Sequence, residues 1–285
     1  MAPAWAVRQE QLAMSVRGRR LARELRQHRE HAGLTPDQVV TRLGWSRSKI
    51  SRIENGRTRP GVADVTAALD LYGVNSPARD ALVQLARDVQ KRGWWTNYAD
   101  LWDGSYVGLE DEASLIRSYQ VQFVPGLLQT PDYARAVISA GRPDSPEAVD
   151  RRVQARMARK SLLARSDAPA LVVVLDEGLL RRPLGGTKVM REQLYALIGA
   201  SQGGNVTIRV LSTESESLAG AEGPFVLLSF ETSDPDVAYS EGMTGCIYVE
   251  SQEQVTRCKV TFERLLETAL SPEESVALIE TYAKE

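Results

Sequence analysis

The stretch that most constrains this chain is "GWSRSKISRIENGR", residues 44–57. It sets Arg47, Lys49, Arg52 and Arg57 beside one acidic residue, Glu54, and interrupts them with Ile50 and Ile53. Two isoleucines three residues apart lie on one face of a helix. Ser46 is an N-cap residue type, and Asn55-Gly56 are the types that tolerate a left-handed C-cap. The spacing therefore predicts a short helix over 47–54, apolar on one side and basic on the other. Upstream, Thr35 as N-cap and Pro36 at the first helical position open "PDQVVTRL", which stops at Gly44. Two short helices joined by a tight turn near glycine, the second of them basic, form a helix-turn-helix.

Each side of that second helix has an expected task. Ile50 and Ile53 pack inward, against a first helix and against Val39 and Leu43. Arg47, Ser48, Ser51 and Arg52 face outward toward base edges in a major groove, where arginine suits bidentate pairing with guanine. Arg57 and Arg59 follow the helix and suit phosphates. Thr35, Gln38, Lys49 and Asn55 complete the set expected at double-stranded DNA. A helix at about 19–32, with Leu21 and Leu25 on one face, precedes the pair, and "VADVTAALDLYG" and "PARDALVQLARDVQ" supply two more. The expectation is a lead-in over 1–18 and an all-α five-helix head over 19–90.

Charge supports a division of labour. Residues 1–92 carry 17 Lys+Arg against 9 Asp+Glu, a balance of +8, whereas the remainder carries 18 against 28, a balance of −10. A basic head on an acidic body points to an anionic partner for the head alone.

Residues 91–165 read as a connector, irregular and aromatic-rich before a long basic helix opened by Ser145-Pro146. Its aromatic group, Trp94, Trp95, Tyr98, Trp102 and Tyr106, either packs internally or walls a site for an effector or a partner's peptide. The remaining residues, 166–285, read as an α+β body. "APALVVVLDE", "NVTIRVL", "GPFVLLSF" and "CIYVE" are strand runs, with helices near 188–201, near 252–270 and after Pro272. Asp176, Glu177, Arg181 and Arg182 form a charged turn and helix start, and Glu177 and Arg181 are also candidates for a partner site.

The phrase "GLTPDQVVTRLGWSRSKISRIENGRTRP" resembles the XRE/Cro type of helix-turn-helix, a lambda-repressor-like fold. The match is close from Ser46 through Gly56. It departs at Pro36, where the family usually carries a glutamine that contacts DNA, and Gln38 is the available substitute. The resemblance also implies a structural ion pair between Glu54 and an arginine late in the first helix, the place of Arg29. Farther along, "VPGLLQTPDYARAVI", "VVVLDEGLLRRPLGG" and "GPFVLLSF" resemble actinobacterial regulators that join such a head to an Scr-type antitoxin-like domain. That resemblance implies a transcriptional regulator, often encoded beside a small cognate partner protein.

Chemistry of other kinds finds little support. Both histidines, His28 and His31, lie in the first helix, so the body has no Ser-His-Asp or Cys-His arrangement and no histidine for a metal. Gly199–Gly203 spells G-x-S-x-G, yet a helix precedes it and a strand follows, the reverse of a nucleophile elbow. No enzymatic activity, cofactor or metal is expected. Two cysteines, Cys246 and Cys258, are too few for a disulfide framework. With no signal peptide and no spanning run, a cytoplasmic protein without membrane contact is expected. One recognition helix reads about four or five base pairs, too few among roughly a million competing sites, so a homodimer on two half-sites is expected.

Overall fold

The computed structural model describes residues 16–90, 98, 101, 105–141, 145–215, 219–231, 234–242 and 245–285. The chain divides into two compact units, Met1–Glu112 and Ala113–Glu285.

The first unit is helical: α1 (Val16–His31), α2 (Pro36–Leu43), α3 (Arg47–Glu54), α4 (Val62–Tyr72), α5 (Ala78–Gln90) and α6 (Ser105–Glu112). Glycines in the left-handed region end the first four of these. Gly33, Gly44, Gly56 and Gly73 have φ of 67°, 66°, 63° and 72°. At Gly56 the fit is complete: Gly56 N–H donates to the Ile53 carbonyl and Arg57 N–H to the Arg52 carbonyl. This double closure satisfies carbonyls that the helix end would leave unpaired, and it turns the chain sharply away from α3. The core follows the apolar periodicity. Leu21, Leu25, Ile53, Val65, Leu69, Leu82 and Val89 form one cluster, and Leu34, Val39 and Ile50 a second beneath α2 and α3.

The second unit is built on a six-stranded sheet of order β3-β2-β1-β4-β5-β6. Its strands are β1 (Leu115–Gln120), β2 (Ala170–Asp176), β3 (Val206–Leu211), β4 (Phe225–Ser229), β5 (Val237–Gly242) and β6 (Gly245–Val249). β1, β2 and β3 run parallel, while β4, β5 and β6 continue antiparallel. Helices α7 (Pro131–Gly141) and α8 (Pro146–Lys160) link β1 to β2. α9 (Glu177–Arg181) and α10 (Thr187–Ser201) link β2 to β3, and α11 (Gln252–Thr268) and α12 (Pro272–Lys284) close the chain. Phe262 and Leu265 of α11 bury against Tyr119, Val174, Leu227 and Ala238 on one sheet face.

Two strands depart from the sequence reading. β1 was expected to be irregular, because Arg117, Ser118 and Gln120 break any apolar run. In the fold it is a central strand, and Arg117 is accommodated by the Ser229 hydroxyl at 3.0 Å and by Asp236 and Glu263 at 3.7 and 3.6 Å. β5 is too short and polar to declare itself, and pairing with β4 and β6 makes it a strand. Consequently, no separate connector spans 91–165: β1, α7 and α8 belong to the second unit. The basic helix expected to reach residue 165 ends at Lys160 and continues as a 3-10 turn over Ser161–Ala164.

Candidate nucleic-acid interface

The local chemistry of α2 and α3 sets the geometry of the outward face. Thr35 caps α2 reciprocally with Gln38: its hydroxyl accepts from Gln38 N–H at 3.3 Å, and Gln38 Oε1 accepts from Thr35 N–H at 2.8 Å. Ser46 caps α3 by accepting from Lys49 N–H at 3.1 Å. Ile50 and Ile53, 2% and 4% exposed, then lock one side of α3 into the core. Its other side is left in solvent, with Arg47, Ser48, Ser51 and Arg52 exposed, and Asn55, Arg57 and Arg59 exposed after it.

Several of these side chains have internal partners. Arg47 Nη2 lies 3.1 Å from Asp37 Oδ2, an exposed pair linking the starts of α2 and α3. The Ser46 and Ser48 hydroxyls are 3.0 Å apart. Asn55 Nδ2 donates to the Ser51 carbonyl at 2.8 Å and to its hydroxyl at 3.2 Å. Lys49 departs from its expected place at DNA. Its ammonium sits 2.7 Å from Asp64 Oδ1 of α4 and 4.4 Å from the centre of the Trp45 ring, so it points along the head rather than outward. Thr35 and Gln38, also expected at DNA, hold each other at the start of α2. The Trp45–Lys49 spacing of four residues was legible in the sequence; Asp64 arrives from another helix and was not.

The orientation of α3 depends on a pair set below its surface. Arg29 Nε donates to Glu54 Oε1 at 2.6 Å and Nη2 to Oε2 at 2.9 Å, while Nη1 donates to the Leu34 carbonyl at 2.8 Å. The two side chains are 8% and 10% exposed. The bond to Glu54 pushes the Arg29 pKa up despite burial. The nearby Tyr72 hydroxyl is pushed up to about 12 by burial and by the Glu54 charge. This bidentate contact ties α1 to the last turn of α3 and explains a carboxylate in so basic a segment.

Elsewhere, the candidate residues are not assembled into a second interface. Trp94, Trp95 and Trp102 lie outside the described residues; Tyr98 and Tyr106 are half-buried. Glu177, expected as a surface charge, is 5% exposed. Burial acts to raise its pKa, but the Tyr282 hydroxyl, Thr213 N–H and hydroxyl, and Ser212 hydroxyl all donate to it and hold it down to about 2. Arg181 donates to the Tyr282 oxygen at 2.7 Å and covers that ring. These residues fasten α12 to the ends of β2 and β3, a join no local pattern announces. Asp176 caps α9 through Gly178 N–H. The "VPGLLQT" phrase is likewise structural. Gln129 donates to the Val124 carbonyl and accepts from Arg156, and Gln193 of α10 donates to the Leu128 carbonyl and accepts from Thr130 N–H. Gly199–Gly203 ends α10, as its context implied. Cys246 and Cys258 are free and half-buried, and burial pushes the Cys258 thiol up.

Among the described residues, no group of three or more His, Cys, Asp or Glu is placed to hold a metal ion, and no helix is long and apolar enough to cross a membrane. A helix-turn-helix domain model matches residues 20–82, the span of α1 through the first part of α5. No curated protein and no solved structure matches the chain. The model described as a domain of unknown function (DUF5753) matches residues 104–281, more than half of the chain and nearly all of the second unit. The chain therefore belongs to the family defined by this C-terminal domain, which it carries behind a helix-turn-helix head.

Proposed function

We propose that this protein is a sequence-specific, non-enzymatic transcriptional regulator of the XRE/Cro kind, acting as a homodimer on two half-sites. One observation carries the reading: α3 is held by its buried isoleucines and by Arg29–Glu54 so that Arg47, Ser48, Ser51 and Arg52 form its solvent face. Arginine on that face can meet guanine edges, and Arg57 and Arg59 lie where the backbone would pass. Intramolecular pairing of Arg47 with Asp37 is weak and exposed, so phosphate or base acceptors can displace it.

Fluorescence anisotropy on the DNA upstream of the protein's own gene, against scrambled DNA across a salt series, tests this. The native site should win by about a hundredfold or more, within the range of specific regulators. Arg47→Ala and Arg52→Ala should each remove about 1–3 kcal/mol of that preference. Equal binding to both DNAs, with a steep salt slope, would leave phosphate contact alone and refute specific reading.

A second reading rests on the body's resemblance to antitoxin-like domains: the body binds a small cognate protein, and DNA binding regulates the pair's own operon. Co-purification of one small unrelated chain from the native host supports it, and its absence under conditions that retain DNA binding counts against it.

A further inference from the structure

The two ends of the body's sheet are treated differently. At the β3 end the chain covers itself: Leu270 N–H donates to the Val210 carbonyl, and Val210 N–H donates to the Ser275 hydroxyl. At the other end stands β6, which among the described residues pairs along its length with β5 alone. β6 carries none of the devices that usually guard a sheet end, having no charged residue and no proline between Gly245 and Val249. It also presents Ile247 at 65% exposure, well above the other exposed large hydrophobics, Tyr195 at 50%, Val260 at 47% and Phe123 at 39%.

We infer that β6 is the homodimer interface, pairing antiparallel with β6 of a second copy so that two six-stranded sheets become one. This rests on the homodimer reading and deepens it by naming the surface. Charge favours a second copy. Beyond residue 92 the chain carries 28 acidic against 18 basic residues, so most faces of two bodies repel, whereas this strand is uncharged. Symmetry selects the register. A two-fold axis normal to the sheet keeps each residue on its own face only if paired numbers sum to an even value. The sum that pairs all five residues places Gly245 against Val249, Cys246 against Tyr248, and Ile247 against itself. Ile247 lies on the same face as Val249, which packs into the α11 cluster, but beyond that cover. Its counterpart would supply the missing neighbour. The contact is small, and two half-sites on one DNA would add the effective concentration that a small contact needs.

The direct test is Ile247→Cys in a Cys246→Ser, Cys258→Ser background, with Val260→Cys in the same background as an exposed control. Mild oxidation should yield a covalent dimer at position 247 and none at 260. Ile247→Lys, which sets like charges opposite each other, should weaken the dimer by about a hundredfold in sedimentation, since it also removes the apolar pair. Circular dichroism checks that each variant folds. If the parent chain is dimeric but position 247 neither cross-links nor responds to lysine, this interface is overturned and the homodimer stands. If the parent chain stays monomeric at tens of micromolar, with and without its DNA, both fall. Lysine at 247 that spares the dimer but abolishes capture of a small cognate protein would assign the strand to that partner and overturn this inference.

Discussion

Replacing Glu54 by alanine tests the structural heart of the head. The substitution removes two charge-assisted bonds, at 2.6 and 2.9 Å, from an arginine that is 7% exposed. Arg29 would keep its bond to the Leu34 carbonyl and, at the rim, a 3.4 Å contact with Glu30. Its charge would otherwise be left without the carboxylate that balances it. Leaving a buried charge unpaired in this way costs about 3–5 kcal/mol. A domain of this size has roughly 5–15 kcal/mol in all, so the loss would take a large fraction of the head's stability. Urea unfolding followed by far-UV circular dichroism should show the head's transition at markedly lower denaturant, with the body's transition unmoved. Replacing both partners, Arg29→Met with Glu54→Leu, should cost much less than the single change, because no charge is stranded. A Glu54→Ala protein within about 1 kcal/mol of the parent would place the pair among weak surface contacts and refute the argument. DNA binding should fall with the fold in the single variant and recover in the double one.

Two more expectations follow from side chains whose roles the tertiary structure set. Lys49→Met should leave the salt dependence of DNA binding unchanged while lowering head stability by about 1 kcal/mol, since Asp64 and Trp45 hold its ammonium; a salt slope reduced by about one phosphate contact would return Lys49 to the DNA surface. Glu177 titrates below its ordinary value, at about 2 against 4.5, so its contribution is fully present above pH 4.5 and is lost as pH falls toward 2. That shift corresponds to roughly 3 kcal/mol at neutral pH, and Glu177→Gln should flatten the acid limb of the body's thermal melts; an unchanged acid limb would show that the carboxylate is not held by its donors.

How far the sequence alone reached depended on how local the determining physics was. α2, α3 and their caps were legible because Thr35, Pro36, Gly44, Ser46 and Gly56 act within four or five residues of themselves. The apolar spacing of Ile50 and Ile53 fixed which side of α3 is buried, and hence which side is available to DNA. The buried pairing of Arg29 with Glu54 joins residues 25 apart, and only a likeness to a known motif suggested it. In the body, β2, β3 and β4 announced themselves as apolar runs, whereas β1 did not. A strand bearing Arg117 and Ser118 is stable only where Ser229, Asp236 and Glu263 meet it.

Local chemistry, in short reach along the chain, determined the helix-turn-helix, its caps, its basic outward face and the charge contrast between the two halves. The tertiary structure alone decided that Lys49 turns to Asp64, that Glu177 is an anchor rather than a surface charge, and that β1 sits mid-sheet. The physical reason is common to all three. Each outcome depends on a partner 15 or more residues away, as with Lys49 and Asp64 or Glu177 and Tyr282, and neither propensity nor periodicity carries information over that distance.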